Sequence, residues 1–434
     1  LTQRRKASQK SYIETQNILK VSSEELLKAA CCNLSESFET NPAIDVNFAD
    51  ALTGTKQIKM LGLSSPYLLI SEENIPMVRG ASQAYGLTFT PGTWVESIQI
   101  SKGAGSVTNG FESIAGQINT ELKKPLTDIP FFLNLFGSIN GRYEMNTHFN
   151  HKIDEKWSTG LYLHGNKRTE KFDNNNDGFL DLPVSEQINL MNRWQYTDLE
   201  KGWVSFLSWR YMKDDKLLGT LSFNPQKDRG MNNRWGSEIK TRRWDASFKL
   251  GYVFPETPYQ SFGFQSAYSS HDQDSYYGLR TYDINQESFY TNLIFNSIIG
   301  NTLNKFKVGL NYSFDTYMEL VNVDAFQRTD QSVGSFFEFS HDNNDNFSLI
   351  AGVRMDFHNN FGSFLTPRVH FRYVPLEKFV IRLSAGSGRK AANIFAENQT
   401  LFATNRAIKI ESSEGKIYGL DPEKAWNYGL GLSK

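Results

Sequence analysis

The sequence predicts a mainly β protein: a transmembrane antiparallel β-barrel, present in part, with an N-terminal globular α/β unit. Hydrophobic residues form 39% and aromatic residues 14% of the 434 residues, yet no apolar run reaches the length of a membrane-spanning helix. Mean hydropathy is -0.47, which suits a barrel because each strand shows lipid only its alternate side chains. Beyond Pro125, apolar and polar residues alternate over stretches of strand length, and long and short polar connections take turns between them.

Charge and cysteine content count against several classes of protein, and the chain ends suggest a fragment. The 46 basic and 47 acidic residues give a net charge of -1, so no broad basic field recruits nucleic acid. Cys31 and Cys32 are adjacent and cannot staple distant segments, so we expect no disulfide framework. The chain starts at Leu1 without a signal segment and ends at Lys434 without a strand-closing aromatic, and we expect both ends to be truncated.

The sequence divides into two regions, because regular alternation of apolar and polar residues begins only after Pro125. Residues 1–125 are expected to form the globular unit, and residues 126–434 the partial barrel. In the first region, serine caps at 22–23 predict a short helix through Ala30. Short strands are predicted at 67–70 and 95–100.

The second region carries period-2 stretches. Phe306 to Phe314, Phe347 to Phe357 and Val369 to Tyr373 each place apolar residues at alternate positions. A soluble antiparallel sheet with one wet face shows the same alternation. Connection lengths favour the barrel, because short turns are predicted at 152–156, 197–202, 254–260, 300–304, 341–346 and 374–378, between long polar loops at 168–186, 213–240, 272–285, 318–331 and 385–423 and a modest one at 358–366. We count roughly fourteen strands, of the about 22 in plugged transporters.

Three segments resemble TonB-dependent outer-membrane receptors. Residues 102–107 with 110–119 (KGAGSV and GFESIAGQIN) resemble the end of the plug domain of that family, and residues 75–80 (IPMVRG) resemble an upstream plug segment. Residues 420–431 (LDPEKAWNYGLG) are similar to a mid-barrel signature, with Gly429 where Glu is usual. The run as a whole resembles receptors of Bacteroidota. No TonB box is recognisable.

The resemblance implies a function in nutrient import. It implies a transporter in the outer membrane of a Gram-negative bacterium, surrounded by lipid and lipopolysaccharide and energised by TonB with ExbB and ExbD. The substrate would be a scarce small molecule such as a metal complex, siderophore, haem or cobalamin. A glycan or peptide importer, a passive porin-like channel and a soluble β-rich adhesin are the alternatives. An enzyme is disfavoured, because the seven histidines are scattered and no Gly-x-Ser-x-Gly elbow is present.

Two constellations are candidate metal sites in a protein that otherwise requires no cofactor. Asp173, Asn175, Asp177 and Asp181 occupy positions one, three, five and nine of a calcium-type loop, with glycine at six. Val184 stands where the bidentate carboxylate belongs, and an Asn/Asp-rich turn explains the same residues. Cys31 and Cys32 are a second candidate, as soft-metal contacts. Buried apolar packing is the alternative role for them.

Candidate ligand contacts lie in the long loop 213–240. Arg229, Arg234 and Trp235 combine cationic and aromatic side chains in a segment predicted to face the outside of the cell. They are candidates only, because loop shape decides which ligand such residues meet.

Overall fold

The computed structural model describes residues 8–10, 15–16, 18–23, 33–38, 44–48, 53–139, 141–404, 406, 409 and 417–434. Cys31, Cys32 and most of the helix expected through Ala30 lie outside these residues. No helix within the described ranges is long and apolar enough to cross a membrane.

The described strands of the N-terminal unit are β1 (Ser8–Lys10), β2 (Ile18–Ser22), β3 (Asp45–Phe48), β4 (Lys56–Met60), β5 (Leu63–Ser64), β6 (Leu68–Glu72), β7 (Ile75–Pro76), β8 (Val95–Lys102) and β9 (Gly116–Leu122). They form a six-stranded mixed sheet in the order β1-β2-β8-β9-β6-β7 and a small sheet in the order β3-β4-β5. The strands expected at 67–70 and 95–100 are confirmed as β6 and β8. The described helices are α1 (Leu34–Ser37) and 3-10 turns at Ser65–Tyr67, Gly80–Ser82, Gly86–Thr88, Gly92–Trp94 and Val107–Asn109.

This unit has its own apolar core. Ile70, Ile98, Ile100 and Ile118 come from three neighbouring strands and are almost wholly buried, as is Ile58 of β4. Their burial removes apolar area from water, which is the main favourable term in folding. The mixed sheet is thereby a rigid support for the loops that leave its edges.

Beyond residue 130, the described residues form one 14-stranded sheet in which every pair of sequence neighbours is antiparallel. The predicted number of strands is therefore confirmed. The bounds are β10 (Phe131–Gly137), β11 (Arg142–Lys152), β12 (Trp157–Arg168), β13 (Val184–Asp198), β14 (Trp203–Gly219), β15 (Gly236–Val253), β16 (Ser261–Tyr277), β17 (Arg280–Ile299), β18 (Asn301–Val321), β19 (Asp324–Asp342), β20 (Phe347–His358), β21 (Gly362–Leu376), β22 (Phe379–Lys390) and β23 (Glu423–Ser433). Residues 123–130 connect the N-terminal unit to β10, and a domain boundary at Pro125 stays a prediction.

The two faces of the large sheet differ as the alternation predicts. On β18, Leu310 is 58% exposed on the outer face while its neighbour Asn311 is 6% exposed on the inner face. On β21, Arg368, His370 and Arg372 all point inward and are buried. The inner face is polar because it contacts the N-terminal unit, which the sheet surrounds.

Several expected outer loops are wrong. Residues 272–285 and 318–331 are not loops but strand hairpins, which turn at 278–279 and 322–323. Gly278 and Asn322 have positive φ at these turns, a conformation that glycine and asparagine tolerate best. Tyr282, Ile284 and Val321 are buried on the inner face of these strand ends. The regular pattern of apolar outward and polar inward residues is therefore lost, although the backbone hydrogen bonds continue. The connections at 169–183 and 220–235 are shorter than expected for the same reason, and the second contains α2 (Pro225–Asp228).

The expected outer loop at 385–423 also needs correction. Strand β22 extends to Lys390, and a 3-10 segment, Ala396–Ala403, then lies against the inner face. Phe395 and Phe402 are buried there, and the Phe402 ring stacks on that of Tyr282 with centroids 5.0 Å apart. Burial of these two aromatic rings stabilises the segment against the inner face. Most other residues of the segment are polar, so its sequence resembles that of an exposed loop.

Glycines on the inner face let the N-terminal unit approach closely. A Cβ atom at Gly386 would lie 2.4 Å from the Cβ of Ala104, and one at Gly352 would lie 2.8 Å from Val107. Real Cβ atoms do not approach this closely, so glycine is required where the two parts touch.

We predict that Gly386→Ala loosens the N-terminal unit, because the new methyl group collides with Ala104. Overpacking of this kind costs about 1–3 kcal/mol. Gly263→Ala is the matched control, since a Cβ at Gly263 meets nothing within 4 Å. Limited proteolysis of the detergent-solubilised protein measures the effect, and equal cleavage rates in the two variants would contradict it.

Candidate functional site

The β6–β7 hairpin faces the inner wall formed by β13 to β18. Its tip residues Glu73 and Asn74 have φ of 56° and 63°, the two positive values of a type I′ turn. Asn119 on β9 supports the tip, because its Oδ1 accepts hydrogen bonds from the Asn74 N–H at 2.7 Å and the Ser71 hydroxyl at 3.1 Å. The turn therefore aims the Glu73 side chain at the wall. Residues 72–79 are called the hairpin segment below.

Glu73 joins the hairpin segment to two strands of the wall. Its carboxylate accepts from Arg193 Nη2 and from Lys249 Nζ at 2.9 Å each, and from the Leu122 N–H at 2.9 Å. Burial raises the pKa of Glu73, but the charges of Arg193 and Lys249 outweigh it and lower the pKa to about 2. Glu73 is therefore ionised and bound on both oxygens. The Arg193 guanidinium also packs on the Phe206 ring, 5.0 Å from its centroid.

A second ionic contact lies beside the first. Arg210 of β14 donates to the Glu72 carboxylate at 3.3 Å and to Asp245 of β15 at 3.2 Å. Arg243 pairs with the same Asp245 at 2.8 Å. The wall aspartate thus serves two arginines, whereas Glu72 is the carboxylate that the N-terminal unit supplies.

Arg79 makes the third ionic contact, and here the N-terminal unit supplies the cation instead of the carboxylate. Arg79 pairs with Asp315 of β18 and, within the N-terminal unit, with Glu112 at 3.4 Å. Next to it, the Ala81 N–H donates to Gln286 Oε1 at 2.7 Å. The hairpin segment is thus held at both ends by buried charge pairs.

The loop at residues 103–115, called the anchored loop below, is held differently. Arg368 donates to the carbonyl oxygens of Ser106 at 2.6 Å and Gly110 at 3.0 Å. The Ser106 hydroxyl donates to Glu338 at 2.6 Å, and the Arg389 N–H donates to the Phe111 carbonyl at 3.1 Å. Hydrogen bonds to its backbone carbonyls and close contacts at glycines hold this loop against β19 to β22.

A cavity of about 90 Å³ lies between the hairpin segment and the wall, beside these ionic contacts. Glu72, Glu73, Arg79, Arg193, Arg210 and Lys249 line it, together with Met77, Phe206 and Tyr290. Sites for drug-sized ligands are typically about 300–1,000 Å³. The cavity is too small for such a molecule while the hairpin segment stays in this position.

The three ligand candidates lie elsewhere. Arg229 is exposed, with its guanidinium 4.6 Å from the centre of the Tyr276 ring, and Arg234 donates to the Ser222 carbonyl at 3.2 Å. Trp235 is half-buried, 6.3 Å from Phe179 between ring centroids. None of these three side chains lines the cavity. Their role as ligand contacts at the outer end stays a prediction.

The calcium-type loop is folded around its own side chains. Asp173 accepts from the N–H groups of Asp177 and Gly178, and Asp181 accepts from both nitrogens of Asn174. No group of three or more His, Cys, Asp or Glu side chains positioned to hold a metal ion occurs among the described residues. Calcium in this loop stays a prediction.

Local sequence does not reveal the charged contacts of the interior. Arg79 lies in one of the segments that carry the family resemblance, but its neighbours in sequence do not identify Asp315 as its partner. Arg193 and Arg210 lie at inward positions of strands, where a buried charge requires a partner. A charged residue at such a position indicates a packed interior, but it does not identify which carboxylate of the N-terminal unit is the partner.

The chain matches two family models. Residues 142–433 match the TonB-dependent receptor-like β-barrel, and residues 12–117 match the TonB-dependent receptor plug domain. A search of curated protein sequences finds no match.

Solved structures share the fold. The siderophore receptor PirA from Acinetobacter baumannii aligns with a TM-score of 0.75 at 14% identity, over 96% of this chain and 68% of that one. The alcaligin outer-membrane receptor FauA from Bordetella pertussis aligns with a TM-score of 0.74 at 13% identity, over 98% and 70%. A ferric enterobactin receptor mutant of Pseudomonas aeruginosa, PfeA R480A with enterobactin, has a TM-score of 0.75 at 13% identity, over 97% and 70%. Two family models in sequence order, together spanning most of the chain, show that it belongs to the TonB-dependent receptors, with a plug domain inside a β-barrel wall.

Proposed function

We propose that this protein imports a scarce nutrient, with a ferric siderophore as the leading substrate, across the outer membrane of a Gram-negative bacterium. The observation that carries the proposal is the plug, which lies inside the sheet and is held by ionic contacts at the buried Glu73 and the partly buried Glu72 and Arg79. A passive channel needs no such unit. Structural neighbours whose names identify them as siderophore receptors support the choice of substrate.

The outer face supports a place in a membrane. Outward aromatic rings contact one another near the short-turn edge, including Trp157 with Tyr196 at 4.9 Å and Trp203 with Tyr252 at 4.4 Å between centroids. Aromatic girdles of this kind mark the interface of lipid and water. Above them, Leu310 and other outward apolar residues would contact lipid, and lipopolysaccharide would surround the outer end.

The proposed partners are TonB, with ExbB and ExbD as its energy source. Family membership supports TonB as the protein that pulls on the plug. Pulling is needed because buried charge pairs of this type cost several kcal/mol to break. A glycan or peptide importer of the same family is the second candidate, since it requires the same plug and the same partner.

Deletion of the gene is expected to lower cellular iron under iron limitation, with copper and zinc unchanged under their own limitations, because the siderophore complex no longer enters. Mass spectrometry of cellular metals measures this. A strain lacking TonB should show the same deficit, and re-expression should restore the iron content. Unchanged metal content under every limitation would rule out a metal complex and favour cobalamin, a glycan or a peptide.

Glu73→Gln is expected to loosen the hairpin segment at pH 7 by on the order of 3 kcal/mol, because Arg193 and Lys249 remain buried without a counter-charge. A lowered carboxyl pKa stabilises the folded plug fully above the ordinary value of 4.5, and this contribution is lost as pH falls towards about 2. The difference between wild type and variant should therefore narrow below about pH 4.5.

Hydrogen exchange of peptides covering residues 68–80 measures this difference, with variant and wild type compared at each pH. Glu155→Gln removes an exposed carboxylate in a turn and is the matched control. A variant-to-wild-type ratio that is constant from pH 7 to pH 3 would show that the Glu73 charge does not hold the segment.

A further inference from the structure

We propose that the wall beneath the hairpin segment is an anion-binding surface on the substrate path, and that the plug carboxylates Glu72 and Glu73 cover it in the resting state. This inference rests on the proposed import function and assigns a charge class to the substrate: a molecule that carries carboxylate, phosphate or similar acidic oxygens.

The first observation behind this proposal is that cations outnumber carboxylates on the wall beneath the hairpin segment. Arg193, Lys249 and Arg210 all reach towards plug carboxylates, while Arg243 and Asp245 pair within the wall. Withdrawal of the hairpin segment also takes Arg79 away from Asp315, so four wall cations then face two wall carboxylates, Asp245 and Asp315. Unpaired buried cations are costly, so the uncovered wall attracts acidic groups strongly.

The geometry around Glu73 shows what such a group would meet. Arg193 and Lys249 each place a donor 2.9 Å from a different oxygen of this carboxylate. Guanidinium and ammonium donors converging on two oxygens also suit a carboxylate or phosphate of another molecule. Glu73 therefore occupies a site that a substrate oxygen pair fits.

The two sides of the plug are not held alike, which decides where this wall opens. The hairpin segment is bound to the wall by side-chain ion pairs at Glu72 and Glu73. The anchored loop is bound through its backbone carbonyls by Arg368, and it packs on Gly352 and Gly386. Cavities border both parts, so the kind of contact is what distinguishes them. A side-chain carboxylate can leave its cations when another anion replaces it, whereas the carbonyl contacts require the backbone of the loop to stay in place. We therefore expect the hairpin segment to yield first, while the anchored loop stays in place.

Cysteine labelling in living cells tests both statements. In a background with Cys31 and Cys32 replaced by serine, Ser247→Cys places a thiol in the cavity wall. Thr366→Cys is the matched control, because Thr366 is buried and lies opposite Arg354 in the strand register, where Arg354 reaches the Val107 carbonyl of the anchored loop. Each thiol is treated with a sulfonate-bearing and with a trimethylammonium-bearing methanethiosulfonate, and rates are divided by those for a free thiol.

Energised cells are expected to label Ser247→Cys at least about tenfold faster than cells without TonB, with the sulfonate reagent faster than the cationic one. Thr366→Cys should stay protected in both. Arg210→Gln added to Ser247→Cys should reduce the preference for the sulfonate reagent, because one wall cation is lost.

Each contrary result has a separate meaning. Faster labelling by the cationic reagent overturns the anion-binding surface, and equal labelling of Ser247→Cys and Thr366→Cys overturns the one-sided opening. Both results leave energised import standing when labelling depends on TonB. Labelling of Ser247→Cys that is the same with and without TonB overturns the proposed function itself.

Discussion

The paired charges of Glu73, Arg193 and Lys249 tie together parts of the molecule that are far apart in sequence. A buried carboxylate is stable only with partners, so the hairpin, β13 and β15 must lie in one relative position. The left-handed tip and the support from Asn119 follow from this requirement, because they direct Glu73 towards the wall. Moving any of these elements leaves charge without a partner.

Two kinds of contact hold the plug, and their difference suits a transporter. The anchored loop is bound by backbone hydrogen bonds and close glycine packing, both of which depend on exact shape. The hairpin segment is bound mainly by charged side chains. Ionic pairs can exchange one carboxylate for another without a change of fold, and this exchange is the basis of the proposed anion-binding surface.

Individual residues show how far the sequence predicts the site. Arg79 was within a segment recognised by its resemblance, but its partner Asp315 is distant along the chain. Glu73 looks like an ordinary polar turn residue, since nothing in its neighbours reveals burial. Arg229, Arg234 and Trp235 were chosen for their chemistry in a loop, and they lie away from the cavity. Partner choice depends on register across many strands, which no local pattern records.

By itself, the sequence determined the approximate number of strands in the large sheet and which of its faces is apolar, because alternation reports the two environments of each strand directly. It did not determine how far the strands extend at 272–285 and 318–331, where apolar side chains are buried on the inner face and the regular alternation is lost. It also did not place Phe395 and Phe402 inside. Only the tertiary structure decided those features and the charge pairs, because each depends on surfaces that meet after the sheet has curved around the plug.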